Sequence, residues 1–198
     1  MGFVCALALA TALWLGAAEE ARAAVTVEEL VANTRRASGA RPPEMGFRQH
    51  VTLQALFLRW QFYADVVRRG DQVEIAVHGA PSFLGDDMTV SLLEVSEGLD
   101  NFDLRPAGEE RINGHHYYVV EGESRVASGA RRGRIWVNAQ SWLVERAELE
   151  YPWGTLLIEQ RFRTVNGYVV LAEQQASVSR LGVRMTVRYD DYWFSGGE

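Results

Sequence analysis

The sequence has no lysine, because all 20 of its basic residues are arginine. A P-loop lysine, a Schiff-base lysine and the Ser-x-x-Lys nucleophile therefore have no candidate, and the reactions that need them are excluded. Cysteine is nearly absent. The one copy, Cys5, lies in Phe3-Val4-Cys5-Ala6, too early to be a lipid-modified cysteine at a lipoprotein cleavage site. If that segment is removed, the rest of the chain has no thiol, so disulfides and thiolate chemistry are excluded together. Positive charge is also in deficit. A net charge of -6, a pI near 5.3 and arginines scattered along the chain give no general attraction to phosphate backbones, which argues against nucleic acid as a partner.

What is present is apolar. Hydrophobic residues make up 47% and aromatic residues 11% of 198 positions, enough for a substantial core in one domain. Phe3 to Ala18 is apolar apart from one threonine, and Ala21-Arg22-Ala23 has the small-x-small pattern that signal peptidase cleaves. Residues 1–23 are expected to be a signal peptide, cleaved after Ala23 or Ala24, and 24–198 a single domain. The apolar run is shorter than the roughly 20 residues of a membrane span, which favours a removable signal and a periplasmic or secreted product.

After the signal, Thr26 and Glu29 form a capping box, Val25 can staple to Leu30, and Val27, Leu30, Val31 and Thr34 make one helical stripe that ends before Gly39. From Phe47 to Val67 the period is two with a change of phase: Phe47, Val51, Leu53 and Ala55, then Leu56, Leu58, Trp60, Phe62, Ala64 and Val66. The change marks either one bent strand or two strands. Arg69-Gly70-Asp71 is a turn, and Val73, Ile75 and Val77 alternate after it. Asp86-Asp87 opens a second helix with Met88, Leu92, Val95 and Leu99 on one stripe. The remainder is a meander with turns at Asn113-Gly114, Pro152-Trp153-Gly154, Asn166-Gly167 and Leu181-Gly182. Its strands have one dry face, such as Val183, Met185 and Val187, and one wet face, such as Arg184, Thr186 and Arg188. About nine to eleven antiparallel strands form a sheet that curls or closes. The concave side is then either a ligand cavity or a core packed solid by the helices.

Several stretches resemble the LolA/LolB-like superfamily of periplasmic lipoprotein carriers and lipoprotein-sorting proteins, which includes RseB-like sensors. They are the capped first helix, Arg69-Gly70-Asp71-Gln72-Val73-Glu74-Ile75 followed by Gly79-Ala80-Pro81-Ser82-Phe83-Leu84, Ile112-Asn113-Gly114-His115-His116-Tyr117-Tyr118-Val119-Val120, Arg134-Ile135-Trp136-Val137-Asn138, and Tyr189-Asp190-Asp191-Tyr192. The resemblance implies a mainly β (α+β) fold: a curved antiparallel half-barrel sheet with two helices over the concave face, holding acyl chains in an apolar groove. The expected lining is Leu58, Trp60, Phe62, Ile75, Val77, Ile158, Phe162, Val183, Met185 and Val187, with Leu92 and Val95 on the lid. A polar cavity residue of the kind such carriers use has two candidates, Arg48 and Arg59, of which Arg59 is in the water-facing phase. The implied partners are lipid or lipoprotein acyl chains, or, for a sensor of the same shape, an envelope membrane protein.

The remaining candidates point away from catalysis. His115-His116 and Asp190-Asp191 are adjacent strand residues that face apart, so neither pair is expected to hold a metal. There is no Gly-x-Ser-x-Gly, and no spacing selects a triad from His50, His78, His115 and His116. No enzyme activity and no cofactor are expected.

Overall fold

The computed structural model describes residues 25–39, 42–82, 94–126 and 129–195. The expected signal peptide and the start of the expected second helix, with Met88 and Leu92, lie outside them.

Helix α1, Val27–Ser38, begins where the capping box places it. The Glu29 amide donates to Thr26 Oγ1 at 3.2 Å, and the Thr26 amide donates to Glu29 Oε2 at 3.1 Å. Glu28 and Glu29 in the first turn and Arg35 and Arg36 in the last oppose the helix dipole. Leu30 and Thr34 are its buried residues.

Ten strands follow: β1 (Glu44–Ala55), β2 (Leu58–Arg69), β3 (Gln72–His78), β4 (Phe102–Ile112), β5 (His115–Ser124), β6 (Arg132–Asn138), β7 (Val144–Tyr151), β8 (Gly154–Val165), β9 (Tyr168–Val178) and β10 (Val183–Ser195). They form one open antiparallel sheet in the order β3-β2-β1-β10-β9-β8-β7-β6-β5-β4. Two meanders, β1 to β3 and β4 to β10, are thus joined by pairing of β1 with β10, and the chain between β3 and β4 passes from one edge of the sheet to the other. Curved into a half-barrel, the sheet carries α1 and a 3₁₀ helix, Val95–Asn101, on its concave side. The expected second helix is 3₁₀ over these residues, and Leu99 is its buried member.

The phase change in the first apolar stretch is a two-residue hairpin turn, Leu56-Phe57. Val51 then pairs with Phe62 and Leu53 with Trp60, which puts both alternating sets on the concave face. Asn113-Gly114 and Asn166-Gly167 take the left-handed backbone of a tight hairpin, with φ of 52° and 86° and of 50° and 83°.

The concave face carries two apolar clusters. One gathers Leu30, Leu99, Val120, Ile135, Val137, Val144, Ala147, Ile158 and Ala176. The other gathers Phe47, Val51, Leu53, Phe62, Val66, Leu171, Val187 and Tyr189. The convex face is charged. Arg105, Glu121, Arg134 and Glu148 stand opposite one another on four successive strands; Arg105 pairs with Glu121, whereas Arg134 reaches Glu110 and Glu148 binds Arg146. One apolar patch interrupts it: buried Trp136, Val119 and Tyr117, with the Arg134 and Arg146 guanidinium carbons 5.2 and 4.9 Å from the Trp136 ring centre. On the same side Trp193 lies over Gly46, its partner across β1 and β10.

Candidate ligand-binding face

The 3₁₀ helix does not fill the concave side. A cleft of about 420 Å³ remains beneath it, walled by Val95, Gly98, Phe102, Ile135, Leu149 and Ile158 and opening past Ser124 and Val126. A second cleft, about 370 Å³, lies across the 3₁₀ helix, between Val27 and Val31 of α1 and Leu104 of β4. Leu99 and Phe102 stand at its wall, so Phe102 borders both clefts. These spaces persist because only one turn of α1 and one side chain of the 3₁₀ helix are fully buried against the sheet.

A polar seam runs between the two apolar clusters. On four adjacent strands, Gln49 of β1, Tyr189 of β10, Gln174 of β9 and Gln160 of β8 are each at most 3% exposed. The Tyr189 hydroxyl donates to Gln174 Oε1 at 2.7 Å, and Gln160 Oε1 accepts the Val95 amide at 3.3 Å, which ties the 3₁₀ helix to the sheet. Gln49 Oε1, Gln160 Nε2 and Thr34 Oγ1 of α1 are buried without a hydrogen-bond partner among the described residues. Each such group costs about 1–3 kcal/mol while it stays unpaired.

Burial also sets the ionisation of the tyrosines around these clusters. Desolvation raises Tyr189, Tyr192 and Tyr151 above the ordinary phenol range. Tyr117 is pushed up to about 12, first by burial and then by its hydrogen bond to the Glu145 carboxylate. A phenol whose folded pKa is raised contributes stability below its unfolded pKa near 10 and loses it as pH rises through the folded value. In an absorbance titration at 295 nm, Tyr117, Tyr151, Tyr189 and Tyr192 should stay protonated above the ordinary phenol range, and denaturant should release them. Ionisation of these four near pH 10 in the native protein would refute this packing.

Solved structures share this arrangement. A LolA superfamily protein from Nitrosomonas europaea superposes with a TM-score of 0.66 at 13% identity, over 88% of this chain and 96% of its own. A DUF1329 family protein from Desulfovibrio piger gives 0.63 at 12%, over 86% and 92%. A putative outer membrane lipoprotein-sorting protein domain from Vibrio parahaemolyticus gives 0.62 at 11%, over 85% and 92%. The chain has a LolA/LolB-like fold. No family model and no curated protein matches the sequence.

Within this LolA-like frame, the residues named from the sequence divide between the two clusters. Phe62 and Val187 are buried in the second, and Trp60, Ile75, Val77, Phe162, Val183 and Met185 pack against it. Ile158 belongs to the first, Val95 packs on it, and Met185 touches both. Val95 and Ile158 line the 420 Å³ cleft beside Ile135, Leu149 and Phe102, which the sequence reading had not selected. Leu58 is 47% exposed at the end of its strand, and Leu92 lies outside the described residues.

Neither arginine candidate is among the buried polar residues. Arg48 is bound to Asp65 on the neighbouring strand, Nε to Oδ1 at 2.7 Å, with its guanidinium carbon 5.0 Å from the Tyr63 ring centre, and this hydrogen bond holds the Asp65 carboxyl below its ordinary range. Arg59 is exposed. The buried polar side chains of the LolA-like face are glutamines, and the sequence carried the signal: Gln49 and Gln160 occupy inward phases between Phe47 and Val51 and between Ile158 and Phe162. His116 pairs instead with Glu109, Nε2 to Oε2 at 2.7 Å, and no three His, Cys, Asp or Glu side chains gather as a metal-binding group among the described residues.

Proposed function

We propose that the protein is an exported carrier that holds a lipid or lipoprotein acyl chain in the cleft beneath the 3₁₀ helix, with residues 1–23 as its signal and 24–198 as one binding domain. The observation that carries this reading is a cleft of about 420 Å³ under the 3₁₀ helix whose wall is mostly apolar, with Val95, Phe102, Ile135, Leu149 and Ile158. Such a wall suits an acyl chain, whose methylenes gain about 0.8 kcal/mol each on leaving water. The lipoprotein-sorting description of the Vibrio neighbour supports the same cargo class. Binding and release need no bond chemistry, so the reading includes no catalytic residue and no cofactor.

The test is native mass spectrometry of the purified protein, followed by titration with a fluorescent long-chain fatty acid. Wild-type protein should carry lipid or bind the probe. Val95→Trp should place an indole in the cleft and displace about three methylenes, weakening binding by roughly fiftyfold. A protein that neither retains lipid nor takes up the probe defeats the proposal, as does a Val95→Trp protein that binds like wild type.

A further inference from the structure

The two ends of the sheet differ in chemistry. At one end three hairpin turns are polar, Gly70-Asp71, Asn113-Gly114 and Asn166-Gly167, and the fourth, Gln140-Ser141-Trp142, packs its tryptophan partly against the first apolar cluster. At the other they expose large apolar side chains. Leu56 is 83% and Phe57 89% exposed in the β1–β2 turn, Leu181 53% in the β9–β10 turn and Trp153 46% in the β7–β8 turn. Pairing of Ala55 with Val183 brings the first two turns together, and the Leu56 amide donates to the Gly182 carbonyl at 3.4 Å.

The backbone shows that this exposure is maintained against local preference. Leu56 has a φ of 55°, close to the 52° and 50° of Asn113 and Asn166, although Phe57 lacks the positive φ of the glycines that follow those asparagines. Asparagine tolerates that region, whereas a bulky apolar residue is strained in it. Glycine or asparagine at position 56 would serve the hairpin better than leucine, so the turn's own geometry does not explain the residue present.

Charge identifies the occupant. In a chain of net charge -6, residues 52–64 and 174–189 contain no aspartate or glutamate, yet Arg59, Arg180 and Arg184 flank the exposed turns. All three are exposed and form no ion pair among the described residues. Protruding leucine and phenylalanine encircled by unpaired arginines suit the surface of an anionic bilayer, where the rings and branched chains enter the acyl boundary and the guanidiniums meet phosphates. We infer that this end of the half-barrel docks reversibly on anionic membrane. The inference is independent of what the cleft holds.

Co-sedimentation of the full purified protein with phosphatidylglycerol-containing vesicles, against pure phosphatidylcholine vesicles, tests it. Binding should favour the anionic vesicles and weaken as salt rises. Leu56→Asn with Phe57→Gly relieves the left-handed leucine and removes both exposed apolar side chains, so thermal stability should hold while binding falls more than about tenfold. Exchanging Arg59, Arg180 and Arg184 for glutamine should cost about a hundredfold on anionic vesicles. Phe57→Trp should shift its emission to the blue on contact with them. Absence of vesicle binding, equal binding to both vesicle types, or unchanged binding by the turn variant would overturn the inference. So would sedimentation showing that Leu56 and Phe57 serve only to pair two copies of the chain.

Discussion

Gly46→Ala should lower the unfolding free energy by about 1–3 kcal/mol, the cost typical of forcing an extra methyl into a filled site. A β-carbon built at Gly46 falls 2.2 Å from Trp193 Nε1, 2.3 Å from Cε2 and 2.6 Å from Cζ2, so the indole must leave its place. Its place is set by the backbone around it. Trp193 follows a bulge at which Asp191 adopts a φ of 53°, and the register between β1 and β10 shifts between Gly46 and Arg48. This local geometry aims the ring across the glycine. Urea unfolding of four proteins, wild type, each single variant and the pair, gives the decisive number. Trp193→Ala alone should be mild, since the ring is 43% exposed, and combining it with Gly46→Ala should recover most of the loss. Additive losses would mean that the ring and the glycine are not in contact.

Ile135→Ala should cost about 2–5 kcal/mol, or roughly 4–20 °C in melting temperature for a chain of this size. Ile135 is 1% exposed, belongs to the first apolar cluster and also forms part of the wall of the 420 Å³ cleft. Truncation therefore removes packing and widens the cleft in one step. If the cleft takes acyl chains, a saturating long-chain fatty acid should restore more stability to Ile135→Ala than it adds to wild type, because methylenes refill the new space. Melting curves with and without ligand read this directly. A ligand-induced shift no larger in the variant would show that the widened space is not reached.

Alternation made most of the sheet legible. The capping box at Thr26, the asparagine-glycine turns and the inward sets on β1, β2, β3 and β10 follow from local chemistry that needs no tertiary partner. The Leu56-Phe57 turn did not, because neither residue carries a turn signature, and only the register of β1 on β2 distinguishes a hairpin from a bent strand. The candidate site was harder. Inward phase marks a residue as facing the concave side without showing whether its neighbours fill the space above it. Phe62 and Val187 are covered, whereas Ile158 borders an opening, yet all three are inward residues of the same period. The buried glutamines were visible as interruptions of that period, but their unpaired atoms depend on which strands lie side by side. The exposed end was likewise hidden, since residues 56 and 181 become neighbours only through β1 and β10.

The pairing of β1 with β10 also has a consequence in time. The N-terminal three-stranded unit stays detached from the rest of the sheet until the thirteen-residue last strand has been made, because β10 alone joins it to β9. A ribosome can release β1 to β3 early, but the half-barrel cannot close before that late segment emerges, and contacts of such long sequence separation form slowly. The topology thereby makes closure of the half-barrel the final step, taken only when both preformed meanders can meet on the last strand.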